Sequence, residues 1–229
     1  MPMFRKVNKN FFKKWSSEMA YVLGFFAADG YITVNKRGGQ FWSIQIVDKK
    51  LLENIKKTVG SGHKISTMKR RKIFGGEVSF YIIYRLQIGS IEMCDDLRHL
   101  GMCENKTKSL TVPNVPDKYF SDFVRGYFDG DGNVWLGNVN KIRKIPKFTI
   151  IVMFTSCSFV FLDQLRKKLL KFGLKGGSLY RSKRNYSRLQ FSVLDSLKLY
   201  DFMYNSLRTS KLFLKRKKDV FEKYVKMRL

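Results

Sequence analysis

The sequence predicts an α+β (mixed αβ) protein built from two pseudo-symmetric αββαββα repeats with antiparallel sheets. Three observations carry this. Met19 to Gly30 reads MAYVLGFFAADG and Phe120 to Gly132 reads FSDFVRGYFDGDG; shifted onto one another they pair Val22 with Val124, Gly24 with Gly126, Phe26 with Phe128, Asp29 with Asp131 and Gly30 with Gly132. After each stretch the hydrophobic period alternates between helical and strand-like in the same order. Between them lies ENKTKSLTVPNVPDK, with two prolines and little hydrophobic pattern. The expected division is a first half over 1–102, a linker over 103–116 and a second half over 117–229.

In chain order, a basic arm runs to Trp15, and Ser16, Ser17 and Glu18 supply a helix start. The helix that follows ends at Gly30. YITVNKRGGQFWSIQIV reads as a hairpin about Gly38-Gly39, and residues 48 to 60 place Leu51, Leu52 and Ile55 at helical spacing before Gly60. HKISTMKRRKIF and EVSFYIIYRLQIG flank Gly75-Gly76; in the second of these, Val78, Phe80, Ile82, Tyr84, Leu86 and Ile88 fall on one face. That face should be covered by helices. A helix over IEMCDDLRHLG closes the half. The second half offers NVWLGN and KFTIIVMFT around the longer basic loop KIRKIPK, then FVFLDQLRKKLLKFG, GGSLYRSKR, and Arg188-Leu189-Gln190 echoing Arg85-Leu86-Gln87. DSLKLYDFMYNSL is its next helix, and LKRKKDVFEKYVKMRL adds an amphipathic basic one.

The two greasy helices carry the chemistry. Phe120, Phe123, Val124, Tyr127 and Phe128 recur at i, i+3, i+4, i+7 and i+8, one helical face. Gly24 and Gly126, at matching positions, allow two such helices to approach backbone to backbone. Glycine then stops each helix, leaving Asp29 and Asp131 at helix C-termini, where a carboxylate is unwelcome because the last carbonyls are already partly negative. Two acids and two such termini in one place need cations between them. All-oxygen donors of this kind suit Mg²⁺ rather than zinc.

Composition names the partner independently. With 45 Lys and Arg against 18 Asp and Glu, the net charge of +27 calls for a polyanion. Nucleic acid fits better than membrane, because no long apolar span appears and the basic residues are spread over many segments. Cys94, Cys103 and Cys157 lack paired zinc spacing, and an odd count argues against a disulfide framework, so reduced thiols are expected. His63 and His99 share no motif, which makes a histidine-based nuclease a poor reading. No secretory signal is visible in the N-terminal stretch. The expected location is the cytoplasm or nucleoid, or an organellar matrix for an organelle-encoded chain.

Val22 to Gly30 (VLGFFAADG) and Val124 to Gly132 (VRGYFDGDG) resemble the nine-residue motif of the LAGLIDADG homing endonucleases, of the single-chain, two-motif type. The match departs from the pattern at Ala27, where an inner acid is usual, and at Arg125, where a small residue is usual. The resemblance implies saddle-shaped sheets over a DNA major groove, a monomer, and a metal-dependent staggered cut with 3′ overhangs in a long, nonpalindromic duplex target. It implies Mg²⁺, with Mn²⁺ able to substitute, held by Asp29 and Asp131 with the backbone carbonyls of Ala28 and Gly130. Lys106 matches a segment in which family members often carry a lysine that orients water or stabilises charge; a phosphate-binding or solvated lysine is as good a reading, and Lys217 is its weaker counterpart. Gln45 and Asp48 sit where they line the site, although Asp48 equally suits a helix N-cap.

The polar face left on each sheet is the expected duplex surface, with Arg and Gln suited to guanine and adenine edges. The first half offers Gln45, Lys69, Arg71, Arg85 and Gln87, with Lys36, Arg37 and Gln40 at its first hairpin. The second offers Arg181, Lys183, Arg188 and Gln190, with Lys141, Arg143 and Lys147 in the basic loop. Two other functions compete: an intron RNA maturase, with host intron RNA as partner, and a noncatalytic DNA-binding protein. The retained acid pair argues against a pure binder.

Overall fold

The computed structural model describes residues 5–139, 148–183, 185–205 and 211–228. The elements run α1 (Ser17–Asp29), β1 (Gly30–Val34), β2 (Gln40–Ile46), α2 (Lys49–Thr58), β3 (Ile65–Phe74), β4 (Glu77–Gly89) and α3 (Ile91–His99). The same order follows in α4 (Asp117–Asp131), β5 (Gly132–Asn138), β6 (Phe148–Ser156), α5 (Phe159–Leu170), β7 (Ser178–Arg181), β8 (Ser187–Phe191) and α6 (Val193–Tyr204), with α7 (Lys215–Lys226) added at the end. Both sheets are four-stranded and antiparallel, in the orders β1-β2-β4-β3 and β5-β6-β8-β7. The two-repeat α+β reading therefore holds. Among the described residues no helix is long and apolar enough to cross a membrane.

Local signals behave as their chemistry dictates. Ser16 caps α1 through its hydroxyl, which accepts the Met19 N–H at 3.1 Å. Asp48 caps α2 by accepting the Leu51 N–H at 2.8 Å, the N-cap role its position allowed. Gly60 ends α2 with φ +65°, a conformation that favours glycine. The motif glycines act differently. Gly30 and Gly132 cap α1 and α4 in extended conformation, with φ −89° and −86°. They are glycine for want of room: an added Cβ would lie 2.1 Å from the Phe26 ring and 2.2 Å from the Phe128 ring.

The centre of the molecule is the α1–α4 pair. A Cβ on Gly24 would stand 2.0 Å from the Phe123 carbonyl oxygen, and one on Gly126 would stand 2.0 Å from that of Tyr21. Nothing larger than hydrogen fits at either position. Around this contact Tyr21, Phe25, Phe26, Phe120, Phe123, Tyr127 and Phe128 are fully buried. Arg125 is buried as well: its guanidinium donates to the carbonyls of Met203 (2.7 Å) and Leu212 (3.0 Å) and to Asp122 Oδ1 (2.6 Å), and lies over the Tyr21 ring. This satisfies a charge that would otherwise be costly inside the core.

The register corrects two expectations. Ile32, Trp42, Ile44, Leu86 and Ile88 face the helices and are buried, but Val78, Phe80 and Ile82, on the same face of β4, are 48%, 58% and 48% exposed. The β3–β4 hairpin simply outruns its helical cover, pairing as far as Phe74 with Glu77. The same register places Lys69 opposite Ile82 and Arg71 opposite Phe80, and directly paired residues of antiparallel strands point to one side. Lys69 lies over the Phe80 ring accordingly.

Candidate active site

Two faces define where chemistry can occur. On the sheet face turned away from the helices, Tyr31 pairs with Ser43, Gln45 with Arg85, and Ser43 with Gln87. The second sheet presents Thr155 opposite Arg188 and Met153 opposite Gln190, with Tyr180 donating its hydroxyl to Gln190 Oε1 at 3.3 Å. The Arg85–Gln87 and Arg188–Gln190 pairs occupy equivalent places in the two sheets.

Other expected nucleic-acid residues fall elsewhere. Lys69 and Arg71, paired with Ile82 and Phe80, lie on the helix side of their hairpin. Gln40 pairs with Val34 on that same side, and its Oε1 is buried without a partner among the described residues. Arg181 pairs with Ser187 and stacks on the Phe159 ring at the start of α5, again the helix side. Lys36 and Arg37 are exposed in the β1–β2 turn, and Lys183 is exposed after β7. Lys141, Arg143 and Lys147 lie outside the described residues. Arg70 and Lys72, which the sequence reading did not single out, pair with Tyr81 and Ser79 on the open face, with Arg85. The signal was there, because a two-residue Gly75-Gly76 turn fixes Phe74 opposite Glu77 and hence the parity of the whole strand.

Asp29 and Asp131 are the last residues of α1 and α4, brought together by the glycine contact. The Asp29 carboxylate lies 3.1 Å from where a side chain on Gly130 would begin. Burial first, then the charge of Asp131, push the Asp29 carboxyl up to about 6, against the opposing pull of Lys217 and Lys106. Asp131 meets solvent on its outer side, yet loss of water on its protein side raises it too, again opposed by Lys217 and Lys106. Asp29, Gly130 and Gln45 line a cavity of about 380 Å³ with Tyr31, Asp129 and Arg216. Gln45 is oriented there by donating from Nε2 to the Tyr31 hydroxyl at 2.6 Å.

Lys106 and Lys217 are no solvated lysines. They are 7% and 5% exposed, and they occupy equivalent positions. Lys106 donates to the Gly30 carbonyl and lies over the Phe26 ring. Lys217 donates to the Gly132 carbonyl at 2.6 Å and lies over the Phe128 ring. Lys217 also meets the carbonyls of Phe128 (2.6 Å), Asp129 (2.8 Å) and, more distantly, Gly130 (3.4 Å). Each ammonium thus offsets the negative end of a motif helix. Burial lowers both: Lys217 falls to about 8 despite the raising charge of Asp129, and Lys106 falls despite Asp131 and Asp29.

The LAGLIDADG-like domain family matches residues 16–93 and 121–206. Among solved structures, the homing endonuclease I-WcaI bound to its DNA recognition sequence is 19% identical with a TM-score of 0.61, over 93% of this chain and 91% of that one. The LAGLIDADG meganuclease I-AabMI bound to uncleaved DNA is 18% identical with a TM-score of 0.57, over 91% and 90%. Among curated proteins, 125 residues are 34% identical to a segment of the probable translation initiation factor IF-2 of Thermococcus kodakarensis, or 53% of this chain. The chain spans only 9% of that relative's length.

Proposed function

The chain belongs to the LAGLIDADG-like domain family, and on that premise we propose that it is a site-specific endonuclease of double-stranded DNA. It acts as a monomer, cutting both strands of a long, nonpalindromic target in a metal-dependent reaction that leaves 3′ overhangs. One observation carries the reading: two acids close the ends of two helices that touch through glycine, with a buried lysine at the equivalent place in each half. A pure binder gains nothing from that arrangement, since like charges at helix C-termini are costly.

The donor set fits Mg²⁺. The acid pair and the carbonyls beside it offer oxygen donors, which suit a hard cation better than zinc. Two carboxylates and backbone carbonyls are what Mg²⁺ accepts when substrate phosphate and water complete its shell. Asp29 and Asp131 would hold the ion with the carbonyls of Ala28 and Gly130, the latter lightly engaged by Lys217. An ion held there would supply Lewis acidity toward the scissile phosphate and toward bound water.

The chain's own residues do the rest. Arg85, Gln87, Arg70 and Lys72 in one half and Arg188 and Gln190 in the other lie on the open sheet faces, suited to duplex phosphates and base edges. Gln45, held by Tyr31, borders the acid site and orients a water or phosphate oxygen by hydrogen bonding. Lys106 and Lys217 place positive charge beside the reacting phosphates and steady the helix ends that carry the acids. The pseudo-twofold relation gives each strand one lysine.

The test is selection of cleavable duplexes from a randomised pool with Mg²⁺. Enrichment of one long asymmetric site, cut with 3′ overhangs and uncut when the metal is chelated, is the expected result. A protein that binds duplex but cuts no member of the pool would leave only a noncatalytic reading.

A further inference from the structure

We infer that Asp129 is a positioning residue for Lys217, and that through it the two strands of a target depend on different supports. The inference rests on the endonuclease reading above. Asp129 is the inner acid of the second motif, where the first has Ala27. Its side chain is buried, with the residue 2% exposed. Oδ2 accepts from the Tyr21 hydroxyl at 2.8 Å and from the Leu214 N–H at 2.8 Å, while Oδ1 is buried without a partner among the described residues.

A carboxylate enclosed in this way is expensive, and Ala27 indicates that a motif helix of this protein closes without one. What distinguishes the second half is α7. Leu214 is the N-cap of α7, and its carbonyl accepts the Lys217 N–H at 3.0 Å. By holding the Leu214 N–H, Asp129 places negative charge at the start of α7, where the helix dipole favours it. It also fixes the turn from which Lys217 leaves. Asp129 therefore grips α7 twice, since its own carbonyl accepts the Lys217 ammonium.

Lys106 reaches the equivalent glycine carbonyl differently. It leaves a turn in which Asn105 has φ 56° and the Lys106 carbonyl accepts the N–H groups of Ser109 (3.1 Å) and Leu110 (2.8 Å). A twofold relation links the two lysines, and a twofold also links the strands of a duplex. Loosening Lys217 alone should therefore slow one strand.

The experiment uses the selected duplex with each strand labelled in turn. Lys217→Met identifies which strand depends on that lysine. Asp129→Ala, which copies position 27, should slow the same strand by about tenfold relative to the other, so nicked duplex accumulates. Asp129→Asn keeps one oxygen for the Leu214 N–H and should give the same bias, smaller. Tyr21→Phe removes only the hydroxyl and should leave the strand ratio as in the wild type. Equal slowing of both strands by Asp129→Ala, bias toward the other strand, or no change overturns the inference. Should Asp129→Ala melt below the assay temperature, Asp129→Asn decides by the same ratio, equal cutting of the strands counting against the inference. A wild type that cuts nothing sinks the endonuclease reading instead, which keeps the two failures apart.

Discussion

Asp29 is kept at a disadvantage in the metal-free chain. Its carboxyl, normally near 3.8, is held up at about 6 by burial and by Asp131, so the folded state prefers the proton and ionisation at neutral pH works against folding. The stability from the neutral form is complete below the unfolded value and is lost as pH rises through about 6. Asp29→Asn without metal should therefore melt higher than the wild type at pH 7, by an amount on the order of 2 kcal/mol, and the gap should be smaller at pH 5, closing only below the unfolded value. Thermal melts in a chelator at the two pH values check it; a gap independent of pH would deny the strain. Cutting should show the reverse side of the same chemistry. It should rise with pH through about 6, and more Mg²⁺ should move that rise to lower pH, because the cation competes with the proton. Asp29 and Asp131 were legible in the sequence because acid before glycine recurs at matching places. The burial of Lys106 and Lys217 was not, since a lysine in a turn segment or a basic helix reads as solvated until the aromatic ring beneath it and the carbonyl ahead of it are located.

At the scale of the element, the β3–β4 hairpin separates two sets of cations by parity alone. Arg70 and Lys72 share the open face with Arg85, whereas Lys69 and Arg71 share the opposite face with Ile82 and Phe80. Replacing Arg70 and Lys72 with Ala should weaken duplex binding and lower the salt slope by about 1 for each phosphate that is no longer neutralised. The Lys69, Arg71 double variant should cost much less. Salt titrations of both variants decide between the faces, and equal weakening would contradict the register argument. Alternation within β4 was readable, but β3 lacks a clear apolar set, so its parity depended on the glycine turn. The exposed Val78, Phe80 and Ile82 escaped the pattern for a related reason. Periodicity marks a face as apolar without saying how far the covering helix extends.

For the molecule as a whole, everything is referred to the α1–α4 pair. Gly24→Leu would drive a side chain into the Phe123 carbonyl, 2.0 Å from the first added atom. Overpacking typically costs about 1–3 kcal/mol, and here the obstacle is backbone with nowhere to move. The variant should lose its cooperative melt or most of its stability, while Gly38→Ala, in an open turn with nothing within 4 Å, should lose far less. The two-repeat architecture was visible because the motif and the strand order each occur twice. The pairing of the helices followed from glycines at matching places, but the tie made by Arg125 did not. An arginine at a small-residue position looked like a departure, and the carbonyls of Met203 and Leu212, with Asp122 and the Tyr21 ring, explain it. We propose that Asp29 and Asp131 jointly hold the metal. Electron paramagnetic titration of Mn²⁺ into the protein bound to its selected duplex tests it directly. Tight Mn²⁺ binding is expected in the wild type and should disappear in Asp29→Asn and in Asp131→Asn, with duplex binding retained; undiminished Mn²⁺ affinity in either variant would contradict the account.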